Sequence, residues 1–215
     1  MTSADHTLVT SDGEKLESLW DRPSGQAIGT VVLCHPHPLQ GGTMRAPLMN
    51  HVAEGLAGRG FTVLRFNFRG VGESSGTHGY GQAEIADISA AWKAANEEAA
   101  GPYFLGGWSF GAATSLVWMA HTNTAVPWAG IAPPVTGTSS PTLPLRLPAA
   151  PRTFILGDRD QFTTVAETEA YIEQVSGQLH VVKGSDHFFY FREAVVTDLM
   201  AEAFGWHPGN PSPGA

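Results

Sequence analysis

In the stretch Gly106-Gly107-Trp108-Ser109-Phe110-Gly111 a serine sits among glycines, after the apolar run Tyr103-Phe104-Leu105 and before the helix-compatible Ala112-Ala113-Thr114-Ser115-Leu116. A tight turn from strand to helix exposes the serine hydroxyl, aims the N–H of Phe110 at a substrate oxygen and sets the positive end of a helix behind it. Small flanking residues let the chain pass close to itself there. A serine attacks a carbonyl only when a base takes its proton and a carboxylate orients that base. Two later segments supply these types, the acid first and the histidine second: Gly157-Asp158-Arg159-Asp160-Gln161-Phe162-Thr163, then Lys183-Gly184-Ser185-Asp186-His187-Phe188-Phe189.

Position discriminates among the nine histidines. His180 lies within an apolar run, His121 at a helix end and His207 near the C-terminus, whereas His187 follows the last apolar run in a loop that opens with Gly184. Asp186, its chain neighbour, points the wrong way to orient it and is assigned an N-cap or surface role. Asp158 and Asp160 compete as the orienting acid, and spacing alone does not separate them. Asp160, further out on the loop, is the expected partner of His187; Asp158, hard against the strand end, is expected to hold the turn or pair with Arg159.

A second backbone donor for a developing oxyanion should come from His35-Pro36-His37-Pro38-Leu39-Gln40-Gly41-Gly42-Thr43-Met44. Proline has no N–H, which leaves His37, the favoured donor, and Leu39. Two histidines two residues apart also suit zinc, but no nearby Cys or acidic residue completes a site, so no metal is expected. Arg69-Gly70-Val71-Gly72-Glu73-Ser74-Ser75-Gly76 begins like a dinucleotide fingerprint, yet Ser75 stands where the third glycine belongs. The plainer expectation is a tight loop with Arg69 paired to a carboxylate, and no cofactor. Leu39, Trp108, Phe188 and Phe189, with Phe110 and Tyr190, are candidate walls of an apolar substrate pocket.

These residues need a scaffold that brings distant loops to one edge. Apolar runs at Thr30 to Cys34, Phe61 to Phe66, Tyr103 to Leu105, Trp128 to Ile131, Thr153 to Leu156 and Leu179 to Val182 alternate with helical candidates. The helices are Ala46 to Arg59, Gln82 to Ala99, Phe110 to His121, Thr164 to Val175 and Phe188 to Phe204. That alternation predicts an α/β fold, a mostly parallel sheet with helices on both faces, and parallel sheets bind ligands at the carboxyl ends of their strands. His6 to Thr10 and Lys15 to Trp20 flank an Asp-Gly turn signal, so the chain should open with an antiparallel hairpin. Between Ile131 and Thr153 the sequence PPVTGTSSPTLPLRLPAAP is too rich in proline for a long helix and predicts a loop over the carboxyl edge.

At 215 residues, 42% hydrophobic and 15% charged, the chain can bury one core, taken as a single domain over residues 1–207 with a flexible tail over 208–215. A net charge of -8 argues against nucleic acid or an anionic membrane as partner and points to a small molecule. The first residues hold no basic region followed by an apolar stretch, and no run approaches the ~18 apolar residues of a membrane span, which points to the cytoplasm. The single cysteine, Cys34, is expected in the core. Nothing advertises an oligomer interface.

Taken together, LCHPHPLQGGTM, RFNFRGVGESSG, GGWSFGA, GDRDQF and GSDHFF resemble, in order, the blocks of the α/β-hydrolase superfamily, and more narrowly its small, cap-less, dienelactone-hydrolase-like group. The resemblance runs from about Val31 to Phe191. It implies an α/β-hydrolase fold without a lid domain, Ser109 as nucleophile, Asp160 as acid, His187 as base, and the N–H groups of Phe110 and His37 as oxyanion hole. Dienelactone hydrolases proper carry cysteine where this chain has Ser109, and many relatives carry aspartate where it has Asn67. The implied activity is carboxylesterase-like hydrolysis of a small acyl substrate. The same residues serve a thioesterase, a lactonase, a peptidase or an acyltransferase, and the fold can also persist as a non-catalytic binding protein.

Overall fold

The computed structural model describes residues 2–137 and 141–207; the tail expected over 208–215 lies outside them. Eight strands form one sheet in the order β1-β2-β4-β3-β5-β6-β7-β8. The hairpin of β1 (Thr2–Val9) and β2 (Lys15–Arg22) is antiparallel, and β2 pairs antiparallel with β4 (Phe61–Phe66). From β4 onward every pairing is parallel, through β3 (Gly29–Cys34), β5 (Tyr103–Trp108), β6 (Trp128–Ile131), β7 (Arg152–Gly157) and β8 (Gln178–Val182).

Buried on both faces, the central strands read as continuous apolar runs, and their alternate residues feed two separate cores. Val31 and Leu33 of β3 face α1 (Pro47–Gly58) and α5 (Glu193–Ala203), while Val32 and Cys34 face the opposite layer of α2 (Glu84–Glu98), α3 (Phe110–Thr122) and α4 (Val165–Val175). Cys34 is fully buried, and burial pushes its thiol well above the ordinary range, which keeps it a protonated core residue. No described helix is long and apolar enough to cross a membrane.

Three boundaries differ from the sequence reading by three residues or more, the first being the start of β1, at Thr2 and not His6. Strand β5 continues through the glycines to Trp108, because Gly106 and Gly107 pair with Leu33 and Cys34 of β3. Helix α5 begins at Glu193, not Phe188. Phe189 and Phe191 adopt φ of 54° and 62°, so the aromatic run forms an irregular loop, and the helical spacing of its apolar residues was coincidental. The connection from β6 to β7 holds no helix among the described residues, so no lid covers the carboxyl edge of the sheet.

One buried charge ties the antiparallel edge to the parallel sheet. Arg65 of β4 lies on the α1 face, where its guanidinium grips Asp21 of β2 at 2.8 and 3.0 Å. It also donates to the Met44 carbonyl at 2.8 Å and to Asn50 of α1. Removing one partner of such a pair strands the other charge without water. Arg65→Ala is therefore expected to lower stability by about 3–5 kcal/mol, measured by urea unfolding of the variant against the parent chain.

Candidate active site

Ser109 occupies the turn between β5 and α3 with φ 54° and ψ -120°, a backbone region that residues other than glycine rarely adopt. Its N–H donates to the Ile131 carbonyl at 2.8 Å and its carbonyl accepts from Ala113 N–H at 3.0 Å, so both neighbouring elements hold the strained residue. The flanking glycines are steric necessities. A Cβ on Gly111 would lie 2.4 Å from the carbonyl oxygens of both Cys34 and His35, and one on Gly107 would lie 2.9 Å from the Cys34 oxygen. The end of β3 thus presses directly on the turn, and Phe110 N–H falls in the first turn of α3, where helix donors lack partners within the helix.

His187 stands in the loop after β8 with its side chain 5% exposed, and its Nδ1 meets Asp160 Oδ2 at 2.7 Å. The other Asp160 oxygen accepts the backbone N–H groups of Phe162 at 2.8 Å and Thr163 at 3.1 Å, which fixes the carboxylate plane. With Nδ1–H given to the carboxylate, the lone pair of Nε2 is the free proton acceptor. Asp158 does something else: its Oδ1 accepts from Gly184 N–H at 2.6 Å and Ser185 N–H at 3.3 Å, binding the β7 loop to the β8 loop. Asp186 accepts from Phe188 N–H at 2.9 Å.

The histidine ring is boxed. Phe162 meets it edge-on at 4.6 Å, Phe188 at 5.7 Å, and Trp108 Nε1 donates to the His187 carbonyl at 3.2 Å. Ser109 and His187 open onto one cavity of about 360 Å3, whose walls include Trp108, Phe162, Phe188 and Tyr190. No hydrogen bond joins Ser109 Oγ to His187 among the described residues, and such contacts often tighten only when substrate binds.

The loop after β3 divides its two histidines between tasks. His35 is fully buried; its Nε2 accepts Phe68 N–H at 2.9 Å and its Nδ1 donates to the Pro36 carbonyl at 2.6 Å, which ties the β3 loop to the β4 loop. Burial pushes its imidazole down to about 3, so it stays neutral. His37 lines the cavity, and its Nδ1 accepts the N–H of Leu39 at 3.2 Å. No group of three or more His, Cys, Asp or Glu is arranged to hold a metal among the described residues. The Arg-Gly loop is likewise structural: Arg69 pairs with Asp87 at 2.7 Å and with Asp12 at 2.8 Å, and its guanidinium holds the Asp12 carboxyl down to about 2.

The pocket differs from its expected lining. Trp108 and Phe188 do border the cavity, but Phe189 is fully buried among the α1 and α5 side chains, because its positive φ turns it inward between two outward neighbours. Leu39 is 65% exposed on a short 3-10 turn and does not reach the cavity, and its N–H is already given to His37. Phe110 is also buried, its ring packed on Phe68 and His37. Phe162 and Gln40 line the cavity without having been singled out. A position two residues after an aspartate in a loop carries no periodic signal that would have marked Phe162.

A sheet of this order, with a strained serine at the turn after β5 and a histidine after the last strand, defines an α/β serine hydrolase. Residues 25–147 match the family described as serine aminopeptidase, S33, and the chain belongs to that family. It is 32% identical to an α/β serine hydrolase homologue from Coxiella burnetii, with a TM-score of 0.82 covering 94% of this chain and 97% of that one. A lidless α/β serine hydrolase from Xanthomonas campestris is 28% identical, with a TM-score of 0.79 over 98% of both chains. An uncharacterised protein of Rickettsia prowazekii is 28% identical over 188 residues, 83% of this chain and 79% of its own length.

Two expectations follow from the supports of the turn and its loops. Gly111→Ala must move backbone, not a flexible side chain, and should lower stability by about 1–3 kcal/mol, seen as a shifted denaturant midpoint. The unfolded chain protonates His35 near pH 6.5, whereas the folded chain resists protonation down to about pH 3. Stability should therefore fall as pH falls from about 6.5 toward 3. Urea unfolding across that window should show a shallower fall in His35→Gln.

Proposed function

We propose that this chain is a serine hydrolase of ester-like bonds that works through an acyl-enzyme on Ser109. The observation that carries this reading is the 2.7 Å bond from Asp160 to His187 in a cavity that Ser109 shares. Asp160 holds the imidazole in the tautomer whose Nε2 accepts the Ser109 proton, and Ser109 Oγ attacks the carbonyl carbon. The backbone N–H groups of Phe110 and His37 receive the oxyanion, each such donor lowering the barrier by roughly 3 kcal/mol. His187 passes the proton to the leaving group, and water, activated by the same imidazole, releases the acid.

An ester is favoured over an amino-terminal peptide by the lining. An aminopeptidase needs a carboxylate to meet the substrate ammonium, and no Asp or Glu borders the cavity among the described residues. Asp160 is fully buried against His187 and is not available for that task.

Ser109→Ala is expected to fold normally and to lose turnover of p-nitrophenyl acetate by at least about 10³-fold, and a fluorophosphonate should label the parent chain alone. Undiminished turnover would refute the proposal. Asp160→Asn, which forces the wrong imidazole tautomer, should cost about 10³–10⁴-fold in kcat. Asp158→Asn should cost much less; if it abolished activity while Asp160→Asn kept it, the two roles would be exchanged.

A further inference from the structure

The five exposed phenylalanine and tyrosine rings among the described residues, Tyr80, Phe162, Phe188, Tyr190 and Phe191, all stand in loops that follow β4, β7 and β8 at the carboxyl edge of the sheet. Phe162, Phe188 and Tyr190 wall the Ser109 cavity. The Tyr80 ring lies 4.9 Å from that of His78, and His78 lies 5.2 Å from His37, another residue of the cavity. Phe191 directly follows Tyr190 in the chain. Single exposed apolar side chains are ordinary on a soluble protein, whereas a group of them gathered at one opening marks an interaction surface.

Two of these rings are held outward on strained backbone. Tyr80 has φ 55° and Phe191 φ 62°, a region in which a bulky side chain is an outlier. Tyr80 is 74% exposed and Phe191 90%, so little packing within the molecule offsets the strain. Such strain gathers at functional sites. It points to a use for these rings outside the isolated chain.

Whatever covers this face sits over the mouth of the Ser109 cavity, so it must still let an ester reach the serine. A second copy laid face to face would close both mouths, and a soluble protein would close one. A lipid surface closes nothing, because it holds the ester itself. An anionic surface would repel a chain of net charge -8, and no Asp, Glu, Lys or Arg lines the cavity among the described residues. A lipid surface without net charge fits both facts. Tyrosine suits such a boundary, with its ring in the apolar layer and its hydroxyl in water.

We propose that the carboxyl edge docks on a lipid surface without net charge, with Tyr80, Tyr190 and Phe191 entering the boundary layer, and that Ser109 hydrolyses esters drawn from it. The docking stands on the exposed rings, and the choice of lipid as occupant rests on the esterase reading of Ser109.

Phosphatidylcholine vesicles test the docking without turnover. The Ser109→Ala chain is expected to float with them on a density gradient, and adding Tyr80→Asp and Phe191→Asp should leave about tenfold less protein bound. Aspartate tolerates positive φ better than an aromatic residue does, and neither ring lines the cavity. With Ser109 restored, the double variant should therefore fold and turn over p-nitrophenyl acetate as the parent chain does. On tributyrin the parent rate should climb once the ester passes its solubility limit, and the rate of the double variant should level off there. No flotation of the Ser109→Ala chain, or equal flotation with both aspartates present, overturns the docking. A dimer that light scattering finds in the parent and not in the double variant also overturns it, since the face would then belong to a second copy. In each of these cases, p-nitrophenyl acetate turnover that depends on Ser109 leaves the esterase reading standing. Loss of that dependence overturns the esterase reading and the lipid ester with it, whatever the flotation shows.

Discussion

At Gly107 and Gly111 the chain has no room for a side chain, because carbonyl oxygens of Cys34 and His35 at the end of β3 lie against them. That contact lets the β5-to-α3 turn close, and the closed turn puts Ser109 at φ 54°. Everything else at the site is arranged around this one strained residue. Strain of this kind persists only where the surroundings over-determine it. Here the Ile131 carbonyl, the first turn of α3 and the backbone of the β3 loop all hold it. One of the two carbonyls that crowd Gly111 belongs to His35, so the serine turn and the loop carrying the second proposed oxyanion donor share this contact.

The remaining loops are held by a division of labour between neighbouring residues of one type. Asp158 ties two loops through backbone N–H groups while Asp160, two residues on, faces His187. His35 is a neutral clip between the β3 and β4 loops while His37, two residues on, faces the cavity. In each pair the residue nearer the strand end ties its own loop to a neighbouring one, and the outer residue, which accepts amides of its own loop, meets the cavity or its histidine.

Without a lid, the mouth of the cavity is made of loop aromatics. Phe162, Phe188 and Tyr190 remain substantially exposed, at 46%, 39% and 62%. Phe188 and Tyr190 are kept there by the backbone of the β8-to-α5 loop, where the positive φ of Phe189 sends one ring into the core and leaves its neighbours outside. The same loop sets the His187 ring between Phe162 and Phe188. Shielding the imidazole and shaping the pocket are thus one structural event.

Much of this was legible in the chain itself. The two cores follow from strands that are apolar at every position, and the order of elements follows from helix-length stretches between them. Ser109 and His187 stand out because glycines mark their turns, and a glycine demand is local enough to survive in sequence. The choice between Asp158 and Asp160 was not legible, since both follow β7 and only the paths of two separate loops decide which carboxylate meets His187. The lining was mislaid for a related reason: Leu39 and Phe189 have the apolar character of a wall, but burial of Phe189 and exposure of Leu39 are set by backbone angles that composition does not encode. Sequence alone therefore determined the fold class and the types of reacting group, because periodicity and turn chemistry are local. Tertiary structure alone decided which carboxylate pairs with the histidine and which rings face the serine, because those depend on distances between loops far apart in the chain.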